Sequence, residues 1–197
     1  MKVTLVSIAI LLGCCAAADG AVVQYTNKSA WQNAVGAYTT IDFVGGQDGF
    51  PILPMHSTDL GVTFTGQQLG YFHSSGLMPN DGEGIRGSLN DIWVAFDTPQ
   101  KYIAAEFPGG LRIALYSGET LLYTSSYVVG GGGGLFIGLI SDVAFDKALL
   151  YRPAPTSNVY IDDIHFGVPA PGALGVFALV VFASRGRWRT RGDDVLM

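Results

Sequence analysis

The residues in this chain whose type and position most invite chemistry are two adjacent carboxylates near the end of its β-rich body, Asp162 and Asp163. They stand in Tyr160-Ile161-Asp162-Asp163-Ile164-His165-Phe166. Strand alternation would put Asp162 on the face of Ile164 and Phe166, and Asp163 on the face of Ile161 and His165. Whichever face is core therefore receives one carboxylate. A buried ionised carboxylate is costly unless it is paired, hydrogen-bonded or bound to a metal. Two solutions are open: backbone N–H groups of a neighbouring loop, or a structural Ca2+ held by carboxylate and carbonyl oxygens, with Asp42 in an early strand as the natural further ligand.

Other candidate chemistry is thinner. His56, His73 and His165 are scattered, with no HExxH, no metal-spaced Cys/His cluster and no GxSxG, so the chain is read as non-enzymatic. Gly130 to Gly134 lacks the Lys-Ser/Thr that completes a phosphate-binding loop, and is expected to be a flexible connection between strands. Asn80-Asp81-Gly82-Glu83-Gly84 is a polar turn or a weaker cation site. Asp81 and Glu83 make a poor glycosidase pair, because that chemistry needs two carboxyls facing each other across a cleft. Tyr71 and Phe72, in a glycine-rich stretch, are the aromatics that could stack on a sugar face, whereas Trp31 and Trp93 read as core.

The elements that must position these groups are short strands. Val22 to Tyr25 is a candidate first strand. Thr26 and Asn27 are good N-cap types, Gly36 is a stop, and Trp31 and Val35 share a face at i and i+4, which predicts one short helix over Ser29 to Val35. Thr39 to Phe43 and Gly61 to Gly66 read as strands separated by a loop from Gln47 to Asp59, and little regular structure is expected from Gln67 to Asn90 except around Tyr71 and Phe72. After that, Ile92 to Phe96, Tyr102 to Phe107, Leu111 to Tyr116, Leu121 to Val129, Leu135 to Ile140, Val143 to Leu150 and Asn158 to Phe166 follow one another with turn signals between them. That spacing, with no long helix between strands, predicts an all-β fold: an antiparallel jelly-roll-like β-sandwich.

The two ends have a different character. Lys2, an apolar stretch from Val3 to Leu12 and Ala16-Ala17-Ala18 have the form of a secretory signal peptide spanning 1–18. Leu11-Leu12-Gly13-Cys14 also permits a lipobox reading with Cys14 lipidated. Ordinary cleavage would remove both cysteines, Cys14 and Cys15, and leave a mature chain without disulfides. The body, 19–167, has the size of one domain. Its basic residues are scattered and outnumbered by Asp and Glu, and the chain carries a net charge of −5, which argues against nucleic-acid binding. At the other end, Val168-Pro169-Ala170-Pro171 precedes an apolar run from Ala173 to Ala183 and then Arg185, Arg187, Arg189 and Arg191, with 192–197 trailing. The apolar run is expected to be a short helix, and with the body exported the arginines would remain in the cytoplasm.

Signal, β-rich body and tail in this order resemble the exported proteins that carry a PEP-CTERM sorting domain, the substrates of exosortases in exopolysaccharide-producing bacteria. The tail is a Pro-Ala-Pro variant, with Ala170 at the place of the name-giving glutamate and an apolar run shorter than the roughly 20 residues of a spanning helix. In the body, Ile41-Asp42-Phe43, Gly61 to Gly66, Phe136-Ile137-Gly138 and Ile161 to Gly167 are similar to phrases of jelly-roll ectodomains with such tails. The resemblance implies a cell-surface or extracellular-matrix protein. Its tail, 168–191, would be handled by an exosortase-like protease, with transient anchoring in the inner membrane. A polysaccharide-binding module of the same matrix is the alternative.

Overall fold

In a computed structural model, residues 21–167 are described except 79, 131–132 and 154–156. The segment 1–18 expected to be a signal peptide, with Cys14, and the Pro-Ala-Pro motif, the apolar run and the arginines of 168–191 lie outside the described residues.

The described residues fold as a curled antiparallel sheet with one short α-helix, which makes the all-β class plain. In chain order the strands are β1 (Val22–Tyr25), β2 (Thr39–Ile41), β3 (Val62–His73), β4 (Glu83–Phe107), β5 (Gly110–Ser117), β6 (Thr120–Thr124), β7 (Val128–Val129), β8 (Leu135–Tyr151), β9 (Val159–Ile161) and β10 (Ile164–Gly167). Helix α1 (Lys28–Val35) follows β1, and two single 3-10 turns, Pro54–His56 and Thr58–Leu60, precede β3. The main path through the sheet runs β2-β10-β4-β8-β5-β6, with β1 added to β8, β3 and β9 to β4, and β7 to β5.

Two long strands, β4 and β8, replace the four short ones that the turn signals suggest. Pro99 has no N–H to give a ladder, yet the strand passes through it at an irregularity. The pairing of β4 with β8 shifts register between Ala95 and Gln100, and again between Gln100 and Tyr102. The first half of β4 pairs with β3 and β9, and the second half with β10. The stretch expected to lack structure also changes character. Residues 67–73 extend β3, and 83–90 begin β4, because Tyr71, Phe72 and His73 pair with Ile85, Gly84 and Glu83.

Alternation sorts the side chains. Ile92, Val94, Ile103, Ala105, Phe107, Leu111, Ile113, Leu115, Ile137, Leu139, Phe145 and Leu150 fill the main core. Tyr102, Ala104 and Phe136 point to the opposite face, where α1 lays Trp31 and Val35 on them. Helix α1 begins at an Asn27 cap that accepts the Ala30 N–H at 2.8 Å and ends at Gly36, with φ of 76°. Trp31 is fully buried, as expected. Trp93 is not core: it lies half-buried on the outer face, its ring 5.3 Å from that of Tyr116.

The segment Asn158 to Phe166 is not one strand. β9 ends at Ile161 and pairs with Ile85 near the start of β4, whereas β10 starts at Ile164 and pairs with Ala105 near its end. Asp162 and Asp163 form the corner between them. Backbone bonds from Asp162 N to Glu106 O (2.8 Å) and from Glu106 N to Asp163 O (2.9 Å) hold that corner to β4. One short segment thus ties together both ends of a 25-residue strand.

Candidate functional site

The corner breaks the alternation on which the sequence argument for Asp162 and Asp163 rests. Ile161 and Ile164 both face the main core, and both carboxylates between them are buried, Asp162 completely and Asp163 to 8% exposure. Asn80 meets them from the opposite loop. Its backbone N–H donates to Asp162 Oδ2 at 3.1 Å and its side-chain amide to Asp163 Oδ2 at 2.8 Å. The expected donation from a neighbouring loop therefore satisfies one oxygen of each carboxyl. Asp162 Oδ1 and Asp163 Oδ1 are buried and receive no hydrogen bond.

A third buried carboxylate completes the group. Glu106 shares its face of β4 with Tyr102 and Ala104 and points under the start of α1, where it is 7% exposed. Its Oε1 accepts from Lys28, the first residue of the helix, and lies 3.0 Å from His165 Nε2. His165 projects from β10 to this same face, opposite Ala104, 2% exposed. Its Nδ1 lies 2.9 Å from Thr40 Oγ1 on β2, and its ring sits between Trp31 and Tyr38, with centroids 5.9 and 5.3 Å away. Glu106, Asp163 and His165 each present one ligand atom, and these atoms lie within 4.8 Å of one another.

The electrostatics follow from this crowding. Burial first, then the charges of Glu106 and Asp162 and a close approach to the Glu106 carboxyl, push Asp163 up to about 7. Asp162 rises to about 6, again chiefly through burial, against the helpful bond from Asn80. Burial would raise Glu106 as well, but hydrogen bonds and charge from His165 and Lys28 outweigh it and hold its carboxyl at about 2. The ionised charge therefore settles on Glu106, beside the Lys28 ammonium and the His165 ring. Such a cluster can share a proton between Asp163 and Glu106, or hold a metal ion.

The other expected site residues lie elsewhere. Asp42 does not join the group: its side chain is 60% exposed, its Oδ1 accepts the Val44 N–H at 3.2 Å, and it stands 3.9 Å from His56 Nε2. Strand β2 ends at Ile41, so Asp42 is turned to solvent while Ile41 and Phe43 fill the core. The calcium set of Asp42, Asp162 and Asp163 is thus not assembled. Tyr71 and Phe72 are not an exposed stacking pair. Tyr71 is 1% exposed, with its hydroxyl accepting the Leu53 N–H at 2.9 Å and lying 2.8 Å from His56 Nδ1. Phe72 is half-buried, with its ring 4.8 Å from that of Tyr160 and the Arg86 guanidinium 5.4 Å from its centroid. The Asn80 to Gly84 segment is a polar turn: Asp81 Oδ1 accepts the Glu83 N–H at 2.8 Å, and Glu83 Oε2 accepts the Gly45 N–H at 2.7 Å.

Glu106 and Lys28 are absent from the sequence-derived set. The available signal is that Glu106 interrupts an otherwise apolar strand, Tyr102-Ile103-Ala104-Ala105-Glu106-Phe107. A lone carboxylate there requires a partner, but nothing local says which. What fold and site together define is a helix-covered, curled β-domain with a buried carboxylate–histidine cluster. No known family model matches the chain, and no curated protein matches it.

Proposed function

We propose that this chain is a non-enzymatic, exported cell-surface or matrix-associated protein: a jelly-roll-like sandwich body carried out by the signal peptide 1–18 and sorted through its tail, 168–191. The observation that carries the proposal is the order of the parts. A secretory-type segment comes first, then a β-domain whose strands end at Gly167, then Pro169, Pro171, an apolar run and four arginines. Pro169 and Pro171 are residue types that disfavour helix, which suits presentation of this junction to an exosortase-like protease at the inner-membrane face. Among the described residues no helix is long and apolar enough to cross a membrane. Membrane anchoring therefore rests on the tail in this reading.

The cluster at Glu106 supports a non-catalytic role for the body. Its carboxyls and imidazole are each less than 9% exposed, which leaves a substrate little surface on which to meet them. The burial of Tyr71 removes the main support for the polysaccharide-binding alternative. The test is cell fractionation of the full chain against a chain ending at Gly167. The full chain is expected in the membrane or surface fraction and the shortened one in the surrounding medium or periplasm. The same distribution for both would overturn the sorting role.

A further inference from the structure

The buried cluster brings together more carboxyl oxygens than its described neighbours satisfy with hydrogen bonds. Glu106, Asp162 and Asp163 bring three carboxyls into one corner, while the nitrogen groups at hand are the Lys28 ammonium and the imidazole of His165. Asn80 donates to one oxygen of each aspartate, and Lys28 is bonded to Glu106, so Asp162 Oδ1 and Asp163 Oδ1 are left buried without a donor. Unsatisfied carboxylate oxygens cost more than any other common buried polar atom. Two of them, adjacent in sequence and beside a carboxylate–imidazole pair, point to a missing cation.

We propose that Glu106, Asp163 and His165 form a binding site for a divalent transition-metal ion of the zinc type, with Lys28 as an internal cation that leaves Glu106 when the metal enters. The ligand set selects the class of metal. Two carboxylate oxygens and an imidazole nitrogen suit zinc and its neighbours, whereas calcium takes six to eight oxygens and has little use for a ring nitrogen. The spacing is close to what a metal needs. Glu106 Oε1 and His165 Nε2 are 3.0 Å apart, and two ligands at about 2.0–2.1 Å from a tetrahedral ion stand roughly 3.3 Å from each other. A small opening seats both.

The supporting contacts are already in place. Thr40 Oγ1 at His165 Nδ1 fixes the ring, and Trp31 and Tyr38 hold its plane, so that Nε2 faces Glu106. Asn80 does the same for Asp163. Entry requires no change of fold. The Lys28 side chain is 38% exposed, and swinging its ammonium into solvent uncovers Glu106. Asp162 lies next to the site as an additional negative charge, one oxygen tied to Asn80 N.

The test is zinc titration by calorimetry on the full chain after exhaustive chelation. Cys14→Ser and Cys15→Ser are introduced so that thiolates do not compete. One equivalent of zinc is expected to bind. Asp163→Asn and His165→Gln should each weaken it at least tenfold, and Lys28→Ala should tighten it several-fold by removing the competing ammonium. Circular dichroism confirms that each variant is folded, and Lys28→Ala, altering a partly exposed side chain, gives a readout independent of core damage. Absence of binding even in Lys28→Ala would overturn the proposal, as would affinity unchanged by both ligand substitutions. Displacement of the zinc by an equal concentration of calcium would overturn the choice of metal.

Discussion

Tyr71 shows how one side chain can belong to two descriptions. As sequence it is an aromatic in a glycine-rich stretch; in the fold its ring lies against Gly46, where a Cβ would collide with it, and its hydroxyl ties β3 to Leu53 and His56 in the segment that precedes that strand. Tyr71→Phe keeps the ring and leaves the Leu53 N–H and His56 Nδ1 without this partner, so a loss of about 1–2 kcal/mol in unfolding free energy is expected by denaturant titration. Tyr71→Ala removes the ring as well and should cost about 3–5 kcal/mol. Sugar binding would be a poor measure of either variant, since a ring 1% exposed offers no stacking face.

Among the elements, β4 and β8 carry the architecture, and α1 seals their outer face. The seal depends on a glycine. At Gly138 of β8 any Cβ would enter the Trp31 indole, and the neighbours of that indole, Tyr38, Tyr102 and Phe136, leave it little room to yield. Gly138→Ala is therefore expected to lift α1 from the sheet and destabilise the protein by about 1–3 kcal/mol, with a change in Trp31 fluorescence. The effect should extend to Lys28, whose bond to Glu106 requires α1 to stay seated. The corner at Asp162 and Asp163 is the other decisive element. By stepping from the start of β4 to its end, the chain carries two carboxylates to a third.

For the whole molecule, the cluster sets how stability responds to pH in the metal-free protein. Asp163 and Asp162 titrate at about 7 and about 6 when folded, against 3.8 for an ordinary aspartate. Between about pH 4 and 7 the folded chain keeps protons that the unfolded chain has released, so stability falls as pH rises through that window and levels off above it. Glu106 acts in the opposite sense. Its folded value of about 2, below the ordinary 4.5, contributes stability that is present above about 4.5 and lost as pH falls toward 2. The thermal midpoint is therefore expected to peak near pH 4–5 and decline toward neutrality. Asp163→Asn should remove much of that decline, and a midpoint rising steadily from pH 4 to 7 would contradict the assigned protonation order.

What the sequence determined by itself is what local patterning controls. The all-β class follows from period-two runs and turn residues. Helix α1 follows from Asn27, Gly36 and the Trp31–Val35 face, because caps and periodicity act within a few residues. The need of Asp162 and Asp163 for a partner was legible too, since the cost of burying a carboxylate does not depend on the fold. Which partner each one found was not. Glu106 is 59 residues from His165 and 78 from Lys28, and Asn80 is 82 from Asp162. No local preference encodes those meetings. The strand breaks expected at Pro99 and between Ile140 and Val143 are register shifts within continuous strands instead, because pairing on either side in β4 and β8 outweighs a local interruption of the ladder. Curling the sheet until one segment reaches both ends of β4 is a property of the closed structure. That closure turns two aspartates at a corner into a buried site with Glu106 and His165, and it leaves Asp42, the further ligand expected from the early strand, facing water.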